Sequence, residues 1–218
     1  MVLASILNSN LLNLSQVADT VAASGADAIH YDVMDGRFVD NISFGLPVLS
    51  SLRPYTKLPI DVHLMISEPL RFAERFVKAG ADMLSFHIES DTDPSEMLRC
   101  IHSFGIPAGI ALSPDTPLSA VEPYLSMMQP EDYILIMTVY PGLGGQAFIP
   151  QMLQKIRALS EIIRQERMPL HIEVDGGINA ETGKLCRQAG VDYLVAGSYV
   201  LCAEDPAASV KSLHISLD

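Results

Sequence analysis

The segment Leu14–Met34, LSQVADTVAASGADAIHYDVM, contains the pattern that decides the fold of this chain. Its first part spaces apolar residues as an amphipathic helix does, and Gly25 follows at the point where a helix can end in a left-handed turn. Its second part, Ala28–Met34, is a short run typical of a buried strand. The segment therefore predicts a helix, a glycine junction and a strand in direct succession.

The same junction recurs twice further along the chain. Gly25-Ala26-Asp27 is followed by Gly80-Ala81-Asp82 and Gly190-Val191-Asp192, so the glycines are separated by 55 and 110 residues. If 55 residues hold two strand–helix units, the 218 residues hold close to eight. Glycine junctions occur in any α/β protein, but the regular interval favours an eight-fold repeat.

Short apolar runs alternate with amphipathic segments from one end of the chain to the other. The predicted helices are Leu14–Ser24, Leu70–Ala79, Pro94–Phe104, Leu118–Met128, Pro150–Gln165 and Ala180–Ala189. The predicted strands are Leu3–Leu7, Ala28–Met34, Pro59–Met65, Met83–Ile88, Ala108–Leu112, Tyr133–Val139, Leu170–Asp175 and Tyr193–Ala196. Such alternation predicts a parallel sheet, because each helical crossover must return over the sheet.

Two parallel architectures are open at this point, a closed barrel and a doubly wound open sheet. The open sheet would be favoured by a glycine-rich dinucleotide fingerprint after the first strand, and Ser5–Asn10, SILNSN, contains no glycine. Eight units fit a (β/α)₈ barrel, slightly below its typical size of roughly 250 residues. We therefore predict an α/β chain that forms one (β/α)₈ TIM-barrel domain over residues 1–218.

Composition excludes several functional classes. The chain has 14 basic and 26 acidic residues, a net charge of −12, and a pI near 4.8, which disfavours nucleic acids and anionic membranes as partners. Hydrophobic residues make up 49%, enough for a sizeable core, and three cysteines are too few for a disulfide framework. No basic leader precedes an apolar segment, and no apolar run reaches about 18 residues. We expect a cytoplasmic protein.

Candidate ligands for a metal lie where predicted strands end. His30 and Asp32 share one face of the second strand, His63 lies near the end of the third, and Asp175 ends the seventh. Each of these residues alone is common without a metal. Together, two imidazoles and two carboxylates at one end of a barrel suit Zn²⁺, Fe²⁺, Mn²⁺ or Co²⁺. Asp35, Glu68, Glu89 and Asp91 are interpreted instead as loop or helix-capping residues.

Glycine-rich turns follow the last three predicted strands, at Gly142–Gly145, Gly176–Gly177 and Gly197–Ser198. Backbone N–H groups in such turns bind phosphate without basic side chains, and barrels place this site after strands 7 and 8. The turns therefore predict a barrel of the phosphate-binding type, which an acidic chain can form.

Four motifs in order resemble the ribulose-phosphate 3-epimerase family: HYDVMDG at 30–36, DVHLM at 61–65, MTVYPGLGGQ at 137–146 and EVDGGI at 173–178. The resemblance extends from about Ser5 to Ser198. It implies a metal-dependent isomerase of carbohydrate metabolism that inverts C3 of a ketose phosphate, first of all D-ribulose 5-phosphate to D-xylulose 5-phosphate in the pentose phosphate pathway. It also implies a homo-oligomer with a divalent metal and no organic cofactor.

The resemblance assigns roles to individual residues. It implies His30, Asp32, His63 and Asp175 as metal ligands, with Asp32 and Asp175 also the acid/base pair that acts through an enediolate. The implied substrate contacts are Ser5, Met34, His63, Met65, Met137, Gly142, Leu143, Gly144, Gly145, Gly176, Gly177, Gly197 and Ser198.

Some positions depart from the family pattern and leave the ketose phosphate open. Asn8-Ser9-Asn10, Ser113, Tyr140 and Leu143 each stand where the family commonly has another residue. The stretch Gln146–Pro150 resembles that of allulose-6-phosphate 3-epimerases, which perform the same inversion on a longer sugar.

Two further classes are weighed against the epimerase. A sugar-phosphate decarboxylase on a similar barrel needs a lysine at a strand end, whereas the candidate lysines fall in predicted helices or loops: Lys57, Lys78, Lys155, Lys184 and Lys211. A non-catalytic sugar-phosphate sensor would have lost a ligand or an acid/base residue, and none is lost. The epimerase remains the favoured hypothesis.

Overall fold

Eight parallel strands close into a barrel in chain order in the computed structural model, which describes residues 1–214. The strands are β1 Val2–Ser5, β2 Ala28–Met34, β3 Ile60–Met65, β4 Met83–His87, β5 Ala108–Leu112, β6 Tyr133–Met137, β7 His171–Asp175 and β8 Tyr193–Ala196. Pairing of Leu3 with Val195 joins β1 to β8 and closes the sheet. The predicted (β/α)₈ barrel is confirmed, while a single domain over all of residues 1–218 stays a prediction.

The helices are α1 Leu14–Ser24, α2 Leu46–Leu52, α3 Ala73–Ala79, α4 Pro94–His102, α5 Met152–Gln165, α6 Ala180–Ala189, α7 Ser198–Leu201 and α8 Pro206–Leu213. Among residues 1–214, none is long and apolar enough to cross a membrane. The segment α2 was not predicted, because it has only two turns and Pro47 and two serines obscure its apolar spacing.

The helix predicted over Leu118–Met128 is wrong. Two 3₁₀ segments, Leu118–Ala120 and Glu122–Met127, connect β5 to β6 instead. Pro123 lacks the N–H that an α-helix interior needs, so the chain adopts short, tighter turns around it.

The repeated glycine junctions have a common structure at the end of the barrel where the strands begin. Each glycine ends a helix with a positive φ angle, and the aspartate two residues later forms two hydrogen bonds to one residue at the start of a neighbouring strand. The carboxylate accepts from that residue's N–H, and the aspartate's own N–H donates to its carbonyl. We call these pairs the aspartate clamps: Asp27 with Val2, Asp82 with Ile60 and Asp192 with Ile172.

Strand alternation separates an outer apolar layer from a mixed interior. On β2, Tyr31 and Val33 pack in the main core between strands and helices, and the Tyr31 hydroxyl donates to the Gly45 carbonyl. The residues that alternate with them, His30 and Asp32, point to the other face and contact polar side chains of the neighbouring strand β3. The barrel interior therefore carries ionisable groups close to its apolar filling.

Gly109 on β5 makes room for one of these interior side chains. A Cβ atom at Gly109 would lie 2.5 Å from the Tyr133 ring and 2.7 Å from the Ser85 Cβ. The Tyr133 ring fills this space, and its hydroxyl donates to Asp61 Oδ1 at 2.5 Å. The position therefore requires glycine because of close packing inside the barrel.

We predict that Gly109→Ala lowers the free energy of unfolding by about 1–3 kcal/mol, because the Tyr133 ring must shift within a close-packed interior. Urea unfolding measures the change. Gly45→Ala is the control, since a Cβ there meets nothing within 4 Å and its φ of −147° suits any residue. An unfolding midpoint for Gly109→Ala equal to that of Gly45→Ala would contradict the packing argument.

Candidate active site

A cavity of about 500 Å³ opens at the carboxyl ends of the strands. Its apolar floor includes the thioethers of Met34, Met65 and Met137, each almost fully buried. Asp32 and Asp175 are the charged residues that line it, and among residues 1–214 no lysine or arginine does. Any anionic ligand in this cavity must therefore be held by main-chain groups, uncharged side chains or a cation.

Most residues that the sequence singled out lie on this cavity. They are Ser5, Asp32, Met34, Met65, Met137, Gly142, Leu143, Gly144, Gly145, Asp175, Gly176, Gly177, Gly197 and Ser198. His30 and His63 are fully buried and do not line the cavity, but they contact the carboxylates that do. Of the positions that depart from the family pattern, Asn8, Tyr140 and Leu143 line the cavity, whereas Ser9, Asn10 and Ser113 do not.

Two carboxylates that line the cavity and two imidazoles buried behind them converge, and we call these four side chains the His/Asp cluster: His30, Asp32, His63 and Asp175. The sheet register places Asp32 directly opposite His63, and strand alternation places His30 on the same face as Asp32. Asp32 Oδ1 lies 3.2 Å from His30 Nε2 and 3.3 Å from His63 Nδ1. Asp175 Oδ2 lies 3.8 Å from His30 Nε2 and 4.0 Å from His63 Nδ1.

The cluster fits a divalent cation. One donor atom from each residue lies within 4.8 Å of the other three, and two nitrogens with two oxygens suit Zn²⁺, Fe²⁺, Mn²⁺ or Co²⁺. His63 Nδ1 is buried and makes no hydrogen bond among residues 1–214, despite its closeness to Asp32. A buried nitrogen without a partner is costly, and a bound cation would satisfy it.

His30 is held from behind by a carboxylate. Its Nδ1 lies 2.6 Å from Asp61 Oδ2, and the other Asp61 oxygen accepts the Tyr133 hydroxyl. Burial lowers the pKa of His30, but Asp32 and Asp61 outweigh burial and raise that pKa well above its usual value. Hydrogen bonding of Nδ1 to a carboxylate directs Nε2 towards the cluster, as is common for metal-binding histidines.

His63 is held from behind by a second imidazole. Its Nε2 lies 2.9 Å from Nε2 of His87, whose Nδ1 lies 3.0 Å from Glu89 Oε2. Burial lowers the pKa of His87 to about 4, even though Glu89 acts in the opposite direction. Burial raises the pKa of Glu89, but the hydrogen bond from His87 prevails and lowers it to about 2.

The two carboxylates on the cavity have different surroundings. Asp32 accepts a hydrogen bond from the Ser5 hydroxyl at 2.8 Å and lies beside both cluster imidazoles. Burial raises the pKa of Asp32, but His30 and His63 outweigh it and hold that pKa well below its usual range. Burial, followed by the charge of Asp32, raises the pKa of Asp175 to about 7. One carboxyl is thus stabilised as the anion more strongly than the other.

Several interior residues that surround the cluster were not assigned a role from the sequence. They are Asp61, Ser85, His87, Tyr133 and Glu173, and Glu89 was interpreted only as a loop or capping residue. Burial and Asp61 raise the pKa of Glu173 well above its usual value. One signal was present: His87 and Glu89 have the same two-residue spacing at a strand end as His30 and Asp32.

Main-chain groups of the glycine-rich turns form another part of the cavity wall. The N–H groups of Gly177, Gly197 and Ser198 form no hydrogen bond within the described part of the chain, residues 1–214. Gly177 has a φ of +67°, and a Cβ there would lie 2.4 Å from the backbone nitrogen of Phe148. Glycine at this position therefore lets the turns after β6 and β7 approach each other along the cavity wall.

Solved structures of other enzymes share this barrel. A structure of 3-keto-L-gulonate-6-phosphate decarboxylase from Vibrio cholerae superposes with a TM-score of 0.74, covering 98% of this chain and 94% of that one at 16% identity. A structure of KGPDC from Streptococcus mutans gives a TM-score of 0.71, covering 97% of this chain and 94% of that one at 17% identity. At such low identity, the likeness defines the fold class alone.

Sequence relatives define the family. The model of the ribulose-phosphate 3 epimerase family matches residues 1–201. Ribulose-phosphate 3-epimerase from Mycobacterium bovis is 45% identical over 215 residues, covering 94% of this chain and 93% of the relative. The Bacillus subtilis protein of the same name is 42% identical over 211 residues, covering 96% of each chain. The chain therefore belongs to the ribulose-phosphate 3-epimerase family, and the predicted family and isomerase class are confirmed.

Proposed function

We propose that this protein interconverts D-ribulose 5-phosphate and D-xylulose 5-phosphate by inverting the configuration at C3. The observation that carries the proposal is the pair of carboxylates, Asp32 and Asp175, on one cavity beside two buried imidazoles. The activity named for relatives that align over most of their length supports the same reaction.

Inversion at C3 needs two proton-transfer groups on opposite faces of the substrate. The C3 proton is weakly acidic because a carbonyl stands at C2, and its removal leaves an enediolate whose carbon is planar. One carboxylate takes the proton from one face, and the other delivers a proton to the opposite face. We assign these roles to Asp32 and Asp175, which exchange them when the reaction runs in reverse. The two residues reach the cavity from different strands, β2 and β7.

The interior supports this chemistry in two ways. His30, Asp32, His63 and Asp175 would hold a divalent cation, which when bound supplies electrostatic stabilisation for negative charge on the substrate oxygens. The methionines give the cavity an apolar lining that would limit water around a bound substrate, and charges interact more strongly where water is excluded. No organic cofactor is required.

The phosphate group is assigned to the turns that contain Gly177 and Gly197–Ser198. The free N–H groups of Gly177, Gly197 and Ser198 can donate to phosphate oxygens. This arrangement agrees with a cavity that has no basic side chain among the described residues.

Allulose 6-phosphate is the alternative substrate, because it undergoes the same inversion and carries one more carbon. Asn8 and Tyr140, which depart from the family pattern, line the cavity. Assays with a panel of tetrulose, pentulose and hexulose phosphates distinguish these substrates. The highest kcat/KM with ribulose 5-phosphate supports the proposal, and the highest value with a hexulose phosphate refutes it.

The structure offers no support for a decarboxylase. Such an enzyme needs a lysine on the cavity, and no lysine among residues 1–214 lines it. Lys155 instead donates to the carbonyls of Ser113, Pro114 and Thr116. The cytoplasmic location and the homo-oligomeric state stay predictions.

Metal removal tests the His/Asp cluster. Chelation followed by dialysis should reduce epimerisation at least about tenfold, because charge on the substrate oxygens then lacks its stabilising cation. Zn²⁺, Fe²⁺, Mn²⁺ or Co²⁺ should restore the rate. His63→Gln should weaken metal binding, whereas His171→Gln, outside the cluster, should not. Full activity in protein that elemental analysis shows to be free of metal would refute the assignment.

Gly197→Val tests the phosphate site. The three atoms nearest to a Cβ at Gly197 belong to Ser5, at 3.6–3.8 Å, so there is room for a Cβ, while the methyl groups of valine would crowd the N–H groups of Gly197 and Ser198. We expect KM for ribulose 5-phosphate to rise at least about tenfold, since direct phosphate hydrogen bonds are charge-assisted. Gly45→Val, away from the cavity, is the control. Equal kcat/KM for ribulose and its phosphate in the wild type would count against a phosphate site.

Asn variants test the two-face assignment by solvent exchange. Asp175→Asn, checked for metal occupancy, should still exchange the C3 proton of one epimer with solvent deuterium but should not form the other epimer. Asp32→Asn should show the same behaviour with the epimers reversed. Proton NMR in D₂O, started from each epimer separately, records both processes. Inversion at nearly the wild-type rate in either metal-loaded variant would contradict the assignment.

A further inference from the structure

A line of hydrogen-bonded side chains leads away from the His/Asp cluster to the surface. From His63 Nε2 it continues to His87 and then to Glu89, with contacts of 2.9 Å and 3.0 Å. The centroids of the two imidazole rings are 5.0 Å apart, and their planes are inclined by 25°. His63 and His87 are fully buried, whereas the Glu89 side chain is 27% exposed. The proposed reaction uses neither His87 nor Glu89.

The hydrogen positions along this line follow from the chemistry of its ends. An ionised carboxylate can only accept, so Glu89 requires the hydrogen of His87 to lie on Nδ1. A neutral His87 ring carries a single N–H, so with that hydrogen on Nδ1 its Nε2 must accept. In the contact between the two Nε2 atoms, His63 must then be the donor. That leaves Nδ1 of His63 without a hydrogen, which agrees with the lack of a hydrogen bond between this nitrogen and Asp32, 3.3 Å away, among residues 1–214.

We propose that Glu89 is a positioning residue that fixes the tautomer of His63 through His87 and so keeps His63 Nδ1 free to bind a metal. This inference rests on the proposed metal site and extends it by two residues. His30 needs no such line, because Asp61 contacts its Nδ1 directly. His63 has only another imidazole behind it, and an imidazole can donate or accept equally well unless a third group decides.

The loop after β5 fixes Glu89 in place. Glu89 Oε1 accepts from the Ser113 N–H at 2.9 Å and from the Thr116 hydroxyl, which leaves Oε2 for His87. Lys155 Nζ holds the same loop by donating to three of its carbonyls at 2.7–3.1 Å. The orientation of a ligand deep in the barrel thus depends on a loop at its rim.

The test compares Glu89→Ala with Thr116→Val. Both variants loosen the contact with the loop, but only the first removes the acceptor from His87. In metal-free protein, ¹⁵N NMR of the histidine rings should show His63 as the Nε2–H tautomer in the wild type and Thr116→Val. Glu89→Ala should show a substantial Nδ1–H population. Zn²⁺ affinity, measured by chelator competition, should fall about 10- to 100-fold in Glu89→Ala and at most about threefold in Thr116→Val.

Substitutions of His87 provide an independent test. The amide oxygen of His87→Gln can accept from His63 Nε2, so this variant should keep the wild-type tautomer and most of the Zn²⁺ affinity. His87→Leu, of similar volume, offers no acceptor and should lose both. Circular dichroism checks that each variant folds. If His87→Leu does not fold, the comparison of Glu89→Ala with Thr116→Val still tests the proposal.

Two outcomes overturn the proposal: an Nδ1–H tautomer of His63 in the wild type, or an unchanged tautomer and Zn²⁺ affinity in Glu89→Ala. A different result would count against the proposed function. If the wild type binds no metal while the tautomers respond as expected, the metal site is wrong and the role of Glu89 in setting the tautomer stands.

Discussion

Negative charge buried inside the barrel is the constraint on which the rest of the site depends. Four carboxyl groups lie in or beneath one cavity, and an isolated buried carboxylate is too costly to persist without a partner or a proton. The groups are Asp32, Asp61, Glu173 and Asp175. Hydrogen-bond donors and neighbouring imidazoles outweigh burial and lower the pKa of Asp32 and Asp61, whereas burial and neighbouring charge raise the pKa of Glu173 and Asp175. Because hydrogen-bond donors are too few for all four carboxyl groups, their pKa values differ.

The difference in pKa among the buried carboxyl groups links the packing of the barrel to its proposed chemistry. The glycine at 109 leaves space for the Tyr133 ring, the Tyr133 hydroxyl satisfies Asp61, and Asp61 orients His30 towards the cluster. A residue without a side chain on β5 therefore contributes to the geometry of a ligand on β2. Proposed acid/base catalysis and fold stability depend on the same interior hydrogen bonds, as expected where ionisable groups are buried together.

Local sequence patterns could predict the barrel and the cluster but not the groups behind the cluster. Strand alternation and the glycine junctions specify which residues share a face and where strands end, so the convergence of His30, Asp32, His63 and Asp175 was foreseeable. The spacing of His87 and Glu89 was the one local signal for Glu89, whose proposed role also depends on contacts with Ser113 and Thr116, 24 and 27 residues away in sequence. The prediction of a helix at Leu118–Met128 was wrong because it relied on the apolar spacing and gave too little weight to Pro123, which lacks the N–H that a helix interior needs.

The aspartate clamps have a consequence for how members of such a family can diverge. They join strands at the end of the barrel opposite the cavity and use only an aspartate side chain and main-chain groups. Insertions or exchanges in the loops at the mouth leave them untouched. The loops that contact the substrate can therefore be replaced while the aspartate clamps keep the strands joined at the opposite end. A new set of loops at the mouth would be attached to a barrel that is already closed.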